Sequence, residues 1–440
     1  MSASAPQHLL DRVRNTPLAR HLGSVVSFNG LVVEARGPQT ALGQLCAIGK
    51  DEQSAVLALV VGFRADMTQL MPYGEGKGIV PGLAVRALDE TVSIGVGDAL
   101  LGRVVDALGR PLDDGPALNL PQRYPVSRQT INPLHREPIE RVVETGVRAI
   151  DTLLTLGRGQ RIGIMAGSGV GKSTLLGALA RQMEADVTVL ALVGERGREV
   201  GEFLRHSLGP KGLQRSVVVV ATADEPALMR TQAAHAAHAI AEYFRDIGRS
   251  VLLVVDSITR FAMAQRDIGL SIGEPPTFRG YTPSVFAQLP RMLERCGQVR
   301  GGAITGVYSV LVEGDDMNEP VTDHMRAILD GHIVLDRELA GRGHHPAIDV
   351  LRSTSRLLGA VASASERVLA DHARRDLAVY AAARDLIELG AHQPGANPEL
   401  DAVIARRPAL EAFLQQPADV AEPRDSSLRR LAGLWKGRAP

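Results

Sequence analysis

The sequence contains few of the residues that mark several classes of protein. Only 3% of its 440 residues are aromatic, and its two cysteines, Cys46 and Cys296, stand far apart and form no Cys-x-x-Cys pair. This cysteine content argues against a disulfide framework or a structural zinc site, and it favours a reducing, cytosolic compartment. Lysine plus arginine equals aspartate plus glutamate at 49 each, so no basic field over the whole chain indicates a nucleic-acid partner.

Long apolar runs are also lacking. The segment MSASAPQHLLDRVRNTPLARH at the start is polar and contains no stretch suited to a signal peptide. No other segment approaches the roughly 18 apolar residues that a membrane-spanning helix needs. We therefore expect a cytosolic protein, which can still dock on a membrane assembly.

The patterns that are present divide the chain into three regions. Between Ser24 and Leu88, short β-type runs broken by glycine indicate a small β-barrel or sandwich, and a Gly- and Pro-rich connector follows. From about Thr145, nearly continuous apolar runs alternate with helical stretches, which is typical of a parallel sheet covered by helices. After about Leu357 only helical periodicity remains.

Some of these helices have recognisable ends. The segment EPALMRTQAAHAAHAIAEYFRDIG finishes at Gly248, which we expect to act as a helix C-cap. Near the C-terminus, PELDAVIARR, PALEAFLQQ and SSLRRLAGLW are predicted to be short helices separated by proline.

The strongest chemical signal is AGSGVGKST, which stands directly between a predicted strand and a predicted helix. Backbone N–H groups of such a loop at a helix N-terminus can wrap phosphate oxygens, while Lys172 reaches the β- and γ-phosphates and Ser173 ligates Mg²⁺. The motif G-x-x-x-x-G-K-S is met except at its first glycine, which is Ala166 here. The strand–loop–helix context disfavours the alternative of a chance glycine-rich turn. The loop residues expected to bind ATP are Gly167, Ser168, Gly169, Val170, Gly171, Lys172, Ser173 and Thr174.

Two carboxylates follow other buried strands. Asp256 ends SVLLVVDS, where an aspartate can hold Mg²⁺ through water, although Asp256 or Ser257 could instead cap the next helix. Glu195 lies just past the strand in ALVGERGREVGEF, where a carboxylate can orient and polarise the attacking water. The alternative for Glu195 is a surface ion-pair cluster with Arg196 and Arg198, and spacing alone leaves both interpretations open.

Several longer segments resemble the α/β family of rotary ATPase subunits and, more closely, the type III protein-export ATPases. The resemblance runs from about Leu100 to the C-terminus, with a weaker barrel-like match before it. Its matching segments are AGSGVGKST, VGERGREVGEF, VLLVVDSITRFAMAQR, GYTPSVFAQLPRMLERCG, LVEGDDMNEPVTDHMRAILDGHIVLDR and PAIDVLRSTSR.

The resemblance implies roles for individual residues. Glu195 would be the catalytic carboxylate, with Arg196 supporting the phosphates or their partners. Asp256 would be the Walker-B aspartate, with Arg260 nearby as a further ATP-binding residue. Arg356 matches an arginine finger that the family supplies across a subunit interface, where it stabilises transition-state charge.

One departure from the family concerns the base. Just before Pro346, where the family usually has a tyrosine near the adenine, this chain has His345, whose imidazole can still stack. Its neighbour His344 raises the alternative of a metal site, but two adjacent histidines rarely form one without further partners.

We therefore predict an α/β fold with a RecA-like P-loop core and a parallel sheet, preceded by a small β-barrel and followed by a helical domain. The predicted domains are an N-terminal barrel with a short leading segment at 1–90, the ATPase domain with its entry connector at 91–356, and the helical domain at 357–440. The expected activity is Mg²⁺-dependent ATP hydrolysis.

The resemblance further implies a homohexameric motor of the flagellar type III protein export apparatus, at the cytoplasmic base of the inner membrane. Its expected partners are a stator-like regulator, export chaperones and the export gate, without nucleic acid. The turn Gly395–Pro398 favours the flagellar branch over its alternative, a virulence-type secretion ATPase.

Other classes match the sequence less well. The acidic helix–turn motif of a rotary ATP synthase catalytic subunit is not visible. A termination helicase would need aromatic stacking platforms, whereas Phe28, Phe63 and Tyr73 are scattered. A non-enzymatic regulatory subunit would typically have lost Lys172 or Glu195.

Overall fold

The structure is a computed structural model that describes residues 22–51, 54–88, 90–128 and 130–435. The chain divides into two compact units. The first extends to Val92 and also includes Leu270–Glu274, while the second comprises Ser93–Gly269 and the chain from Pro275 onwards. That Leu270–Glu274 belongs to the first unit was not predicted from the sequence. The predicted boundaries at 90 and 356 stay predictions.

The first unit contains a closed antiparallel barrel in the strand order β1-β2-β5-β4-β3-β6. Its interior is apolar, because alternate residues of each strand face inward and Val33, Leu70 and Val85 are fully buried. The prediction of a small β-barrel is confirmed. Its strands are β1 (Leu22–Phe28), β2 (Val33–Arg36), β3 (Leu45–Ile48), β4 (Val56–Arg64), β5 (Met67–Pro72) and β6 (Ala84–Ala87).

The second unit is built on a nine-stranded sheet with the order β19-β18-β12-β17-β15-β13-β14-β8, in which β16 also pairs with β17. The five apolar runs that predicted buried strands are β12, β13, β14, β15 and β17, and they pair in parallel where they are neighbours. The strands of this sheet are β8 (Val104–Asp106), β12 (Arg161–Ala166), β13 (Val187–Val193), β14 (Ser216–Ala221), β15 (Ser250–Asp256), β16 (Gly297–Val299), β17 (Gly302–Leu311), β18 (Gly331–Leu335) and β19 (Ile348–Ser355).

Two small sheets accompany the large one. They pair β7 (Ser93–Val96) with β9 (Gln122–Pro125) and β10 (Val142–Val143) with β11 (Leu156–Gly157).

Helices cover the large sheet and then form the C-terminal region. Helices of the sheet region are α1 (Arg148–Leu153), α2 (Lys172–Gln182), α3 (Gly197–Glu202), α4 (Gly209–Gln214), α5 (Ala227–Asp246), α6 (Ile258–Ser271), α7 (Pro283–Leu293), α8 (Pro320–Ile328) and α9 (Arg337–Gly341). Helices after the last strand are α10 (Leu358–Val361), α11 (Ala364–Glu388), α12 (Pro398–Leu414) and α13 (Arg424–Gly433). Between α3 and α4, Phe203–Leu208 forms a π-helix.

The direction of β19 decides where Arg356 lies. β12 and β18 run in parallel, and Ala166 at the end of β12 is level with Leu335 at the end of β18. β19 runs back along β18, so its last residue, Ser355, pairs with Gly331 at the beginning of β18. Arg356 follows β19 and therefore lies at the amino ends of the parallel strands, whereas the P-loop lies at their carboxyl ends, on the opposite side of the sheet.

The predicted helix ends were partly right. α5 ends as expected, because Gly248 adopts a φ of 91° and its N–H donates to the carbonyl of Arg245. The separation of two C-terminal helices by proline is wrong, since α12 continues through Pro408 as one helix. Buried side chains on both sides of the proline, among them Val403 and Leu410, hold the two halves together despite the lost hydrogen bond.

The C-terminal helices pack on the sheet region through α1. Arg148 of α1 is buried, and its Nε donates to the carbonyl of Phe413 at 2.7 Å while its guanidinium pairs with Glu422 at 2.8 Å. A buried arginine with several such partners fixes the position of α12 against the core. Within the described residues, no helix is both long and apolar enough to cross a bilayer.

Candidate nucleotide site

The P-loop connects β12 directly to α2. Gly171 stands at the N-cap of α2 with a φ of 92°, a left-handed conformation that glycine adopts without strain. Ala166, at the position where the motif usually has its first glycine, is the last residue of buried strand β12 and takes no positive φ. Alanine is therefore compatible with the backbone at this position. The N–H groups of the first turn of α2 are directed at the loop, as a phosphate site requires.

The structure brings the three predicted catalytic side chains together. The Lys172 ammonium pairs with Asp256 Oδ1, and its Nζ lies 3.6 Å from Glu195 Oε1. Asp256 is buried and also accepts a hydrogen bond from the Ser309 hydroxyl. Lys172 follows β12, Glu195 follows β13 and Asp256 ends β15. In the sheet β15 lies between β13 and β17, and β17 lies beside β12, so the carboxyl ends of these parallel strands meet at the loop.

The alternative roles of two residues can now be separated. The Ser257 hydroxyl accepts a hydrogen bond from the N–H of Arg260 at 3.3 Å, so serine caps the first turn of α6. The carboxylate of Asp256 instead faces Lys172. Glu195 likewise faces Lys172 and is largely buried, which does not fit a purely superficial ion-pair cluster.

The side chains of the three arginines near Glu195 point in different directions. Arg260 Nε lies 3.8 Å from Glu195 Oε1 and is buried without a hydrogen-bond partner among the described residues. Arg196 is exposed and pairs with Glu199, and Arg198 is exposed and pairs with Glu202. The structure therefore places Arg260 beside the predicted site, whereas Arg196 and Arg198 are directed to solvent.

Burial and neighbouring charges shift the pKa values of Lys172 and Glu195. Burial by itself lowers the pKa of Lys172, but the carboxylates of Asp256 and Glu195 outweigh it and leave that pKa raised, so the side chain is a cation at neutral pH. Burial raises the pKa of Glu195 to about 7, with the Lys172 cation opposing the shift and the Asp256 carboxylate adding to it. Glu195 can therefore change its charge near neutral pH.

Two cavities flank the P-loop. One has a volume of about 360 Å³, and its lining includes Ser173, Glu195 and Asp256. The other has a volume of about 380 Å³ and lies between the loop and the C-terminal region, where its lining includes His345 and Gln416. A polar cavity at the lysine end and a more apolar one at the helix end match the phosphate and base portions of a nucleotide.

The two adjacent histidines face different surroundings. His345 is exposed and lines the second, more apolar cavity, which we call the base cavity because its character matches the base portion of a nucleotide. His344 is buried, and its Nδ1 lies 3.4 Å from Gln415 Nε2. Because the two imidazoles line separate cavities, they do not converge on one metal ion.

Arg356 is not part of this chain's own cluster. It is exposed, its N–H donates to the carbonyl of Asp330, and its guanidinium donates to the carbonyls of Arg326 and Ala327 at the end of α8. Arg356 lies at the amino ends of the parallel strands, and the P-loop lies at their carboxyl ends. Arg356 therefore cannot complete the site of its own chain.

Sequence reasoning missed several residues around the loop. Ser309 on β17 donates a hydrogen bond to Asp256, and this contact depends on the pairing of β17 with β15, which was not predicted from the sequence. Glu199 lines the cavity that contains Glu195, one helical turn further along the chain. Gln416 and Pro417 reach the base cavity from the C-terminal region, and no local pattern in the sequence signals that contact.

The pKa of Glu195 predicts how the activity changes with pH. A carboxyl with a higher pKa in the folded chain binds protons there, so the stability it contributes is present below its unfolded pKa of about 4.3. That contribution is lost as the pH rises through about 7.

If ionised Glu195 polarises the water, kcat/KM should fall towards acid pH with a midpoint near 7. Initial ATPase rates at low ATP, taken over a range of pH, measure kcat/KM. A kcat/KM that stays constant across neutral pH would contradict the role of Glu195 in polarising the water.

Comparison with known proteins assigns the regions of the chain. The nucleotide-binding domain of the ATP synthase alpha/beta family matches residues 146–355, and the beta-barrel domain of the same family matches 25–89. The C-terminal domain of the type III secretion ATPase EscN matches 362–433. The helical region therefore resembles the secretion branch of the family.

Full-length relatives agree with these matches. The chain is 50% identical to the flagellum-specific ATP synthase of Bacillus subtilis, covering 97% of this chain and 98% of the relative. It is 49% identical to the Salmonella typhimurium protein of the same name, covering 91% and 90%, and 45% identical to a type 3 secretion system ATPase of Xanthomonas euvesicatoria, covering 95% of each.

A solved structure of the assembled ATPase EscN from enteropathogenic E. coli superimposes with a TM-score of 0.88 at 43% identity, covering 94% of this chain and 99% of that one. The predicted α/β fold, with a barrel before it and a helical domain after it, is thus confirmed, as is the predicted family. The chain belongs to the ATP synthase alpha/beta family of ATPases, in the branch that contains the flagellum-specific and type III secretion enzymes.

Proposed function

We propose that this chain is the ATP-hydrolysing motor of a flagellar type III protein export apparatus and drives the release, unfolding and export of flagellar substrates. The observation that carries the proposal is its 50% identity to the flagellum-specific ATP synthase of Bacillus subtilis over nearly the whole chain. The convergence of Lys172, Glu195 and Asp256 at one P-loop supports the chemical part of the proposal.

In the proposed site, the P-loop amides and Lys172 hold the phosphates of ATP. Glu195 orients the attacking water at the γ-phosphate, a role that its position beside Lys172 supports. Arg260 forms an ion pair with Glu195, but its buried Nε has no hydrogen-bond partner among the described residues and can donate to a phosphate oxygen. His345 stacks against the base in place of the family's tyrosine. Arg196 is proposed to contact a neighbouring subunit rather than the phosphates of its own site, because it is exposed.

The oxygens available in the first cavity fit Mg²⁺. Mg²⁺ prefers hard oxygen ligands and usually retains several waters, and the hydroxyl of Ser173 and the carboxylate of Asp256 line the same cavity. Ser173 would bind the ion directly and Asp256 through water. The bound ion would neutralise charge on the β- and γ-phosphates.

We propose that the site is completed by a second copy of the chain in a homohexamer. Arg356 is exposed and lies at the far end of the sheet from its own P-loop. Its guanidinium, which donates here to the carbonyls of Arg326 and Ala327, would turn to a neighbour's γ-phosphate on assembly. The relative EscN has been solved in an assembled form and in complex with its central stalk EscO. By analogy, we propose a stalk- or stator-like regulator as a partner of this chain, together with export chaperones and the export gate, at the cytoplasmic face of the inner membrane.

A virulence-type secretion ATPase is the second candidate, because a type 3 secretion system ATPase is 45% identical to this chain. Complementation separates the two. We expect the chain to restore swimming to a flagellated bacterium that lacks its own export ATPase, and Lys172→Ala, which removes the phosphate-binding lysine, not to restore it. Restored effector secretion in a strain lacking the virulence ATPase, without restored swimming, would reverse the assignment.

Replacing His345 with tyrosine should strengthen nucleotide binding. A phenol ring offers a larger apolar face to the base than imidazole does, and aromatic stacking contributes about 0.5–1.5 kcal/mol beyond burial. We therefore expect His345→Tyr to lower the Kd for ADP by about twofold to tenfold, since about 1.4 kcal/mol corresponds to a factor of ten. Fluorescence titration with labelled ADP measures the change in Kd. The neighbouring variant His344→Tyr is not a suitable control, because His344 is buried and a tyrosine there would disturb the packing. An unchanged Kd would place the base elsewhere.

A further inference from the structure

The first glycine inside the P-loop, Gly167, is packed against an ion pair. A Cβ atom on Gly167 would lie 2.5 Å from Asp315 Oδ1 and 2.8 Å from Arg337 Nη2, both shorter than any ordinary contact. Gly167 has no positive φ, so its backbone conformation does not require glycine, and a larger residue here would displace the ends of the Asp315 and Arg337 side chains. The two side chains also pair with each other, Arg337 Nε lying 3.0 Å from Asp315 Oδ2.

The pair joins three segments around the nucleotide site. Asp315 stands in the loop that follows β17, and this loop is tied to the P-loop by a hydrogen bond from the N–H of Val312 to the carbonyl of Ala166 at 2.9 Å. Arg337 is the first residue of α9, which leads within a few residues to His345 in the base cavity. Both segments therefore pack against Gly167 through this ion pair.

We propose that Asp315 and Arg337 are positioning residues that hold the entry of the P-loop in its phosphate-binding geometry. The inference rests on the proposed role of the loop in ATP binding and deepens it. A loop that is already held in its bound conformation loses less freedom on binding, so a pair that fixes the first peptide of the loop should strengthen nucleotide affinity. It does not contact the reacting atoms, so the effect should fall on binding rather than on the chemical step.

A neighbouring ion pair provides a matched control. Arg279 Nη2 lies 2.8 Å from Asp316 Oδ2, and both side chains are about as exposed as those of the Asp315 pair. This second pair shares the loop after β17 but joins it to the turn Phe278–Gly280 instead of to Gly167. Neutralising Arg279 or Asp316 therefore removes one charge from an ion pair of the same loop, as each single variant of the Asp315–Arg337 pair does.

The variants are Asp315→Asn, Arg337→Gln and their combination. Asparagine tolerates the positive φ of residue 315 as aspartate does, so the change removes the charge without adding backbone strain. Half-exposed ion pairs contribute little to folding, so thermal unfolding should be unchanged. Arg337→Lys, which keeps the charge, should retain most of the affinity.

Titration of the full-length chain with fluorescently labelled Mg²⁺–ADP tests the proposal. We expect each single variant to raise the Kd about fivefold to tenfold and the double variant to add less than about twofold, because partners in one interaction are not additive. The KM for ATP should rise in parallel while kcat stays within about twofold. Arg279→Gln and Asp316→Asn should leave the Kd unchanged.

Several results would overturn the proposal: an unchanged Kd in both single variants, equal losses in the control pair, or fully additive losses in the double variant. Lys172→Ala distinguishes failure of the inference from failure of the site. If Lys172→Ala abolishes binding while the Asp315 and Arg337 variants bind normally, only the positioning role is wrong. If Lys172→Ala binds as tightly as the unmodified chain, the nucleotide site itself is wrong.

Discussion

Glu195→Gln should leave the chain able to bind Mg²⁺–ATP but reduce its turnover by about 10²–10⁴-fold, the usual contribution of a positioned acid–base group. Glutamine has nearly the same shape as glutamate, so the cavity with Ser173 and Asp256 is preserved. It cannot accept the proton or carry the charge that polarises water beside Lys172. Steady-state phosphate release gives the rate, and equilibrium titration with labelled ATP gives the affinity.

Two further variants make this result specific. Lys172→Ala should lose both binding and turnover, because it removes the cation that faces the phosphates. Glu184→Gln changes an exposed glutamate that also pairs with an arginine, Arg141, and it should behave as the unmodified chain. If Glu195→Gln turned over normally, the water-polarising role would be untenable. If it lost nucleotide affinity to the same extent as Lys172→Ala, Glu195 would be a binding residue.

Arg356→Ala should reduce hydrolysis by about 10³–10⁵-fold in the assembled state, the effect of an arginine finger in related nucleotide hydrolases. The affinity of the isolated chain for ATP should change little. The reason is geometric, since Arg356 follows β19 at the edge of the sheet opposite to its own P-loop and donates to carbonyls of α8. Turnover at concentrations that favour assembly, together with monomer titrations, measures both quantities.

Arg352→Ala is the matched control for Arg356→Ala, because Arg352 is an exposed arginine in β19, four residues before Arg356, and pairs with Asp336. It should retain turnover within about twofold, as expected for an exposed ion pair. An equal loss of monomer affinity in Arg356→Ala would mean that this arginine acts on its own chain. Mixing Arg356→Ala with Lys172→Ala chains should restore part of the activity if each site takes its finger from a neighbour.

Much of the fold followed from local patterns. The five continuous apolar runs became neighbouring buried strands, because strands covered on both faces need apolar residues at every position. The glycine-broken runs became the barrel for a related reason, since short alternating strands close on a small apolar interior. The break predicted at Pro408 failed because packing on both sides of the proline outweighed its local preference.

The nucleotide site was predictable only in part. The P-loop is continuous in sequence and its chemistry depends on its own backbone, so its residues could be named without a structure. Glu195 and Asp256 each had two open interpretations, because spacing does not reveal which way a side chain points. The pairing of Lys172 with both carboxylates, and the capping of α6 by Ser257, separated those interpretations.

The sequence by itself determined the class of chemistry and the family, since a phosphate-binding loop, a barrel pattern and long matching segments are local properties of the chain. Only the tertiary structure decided which side chains meet at the loop: Ser309 beneath Asp256, Gln416 beside His345, and Asp315 with Arg337 against Gly167. These contacts join residues far apart in the chain, and their existence depends on strand order and helix packing, which no local pattern encodes.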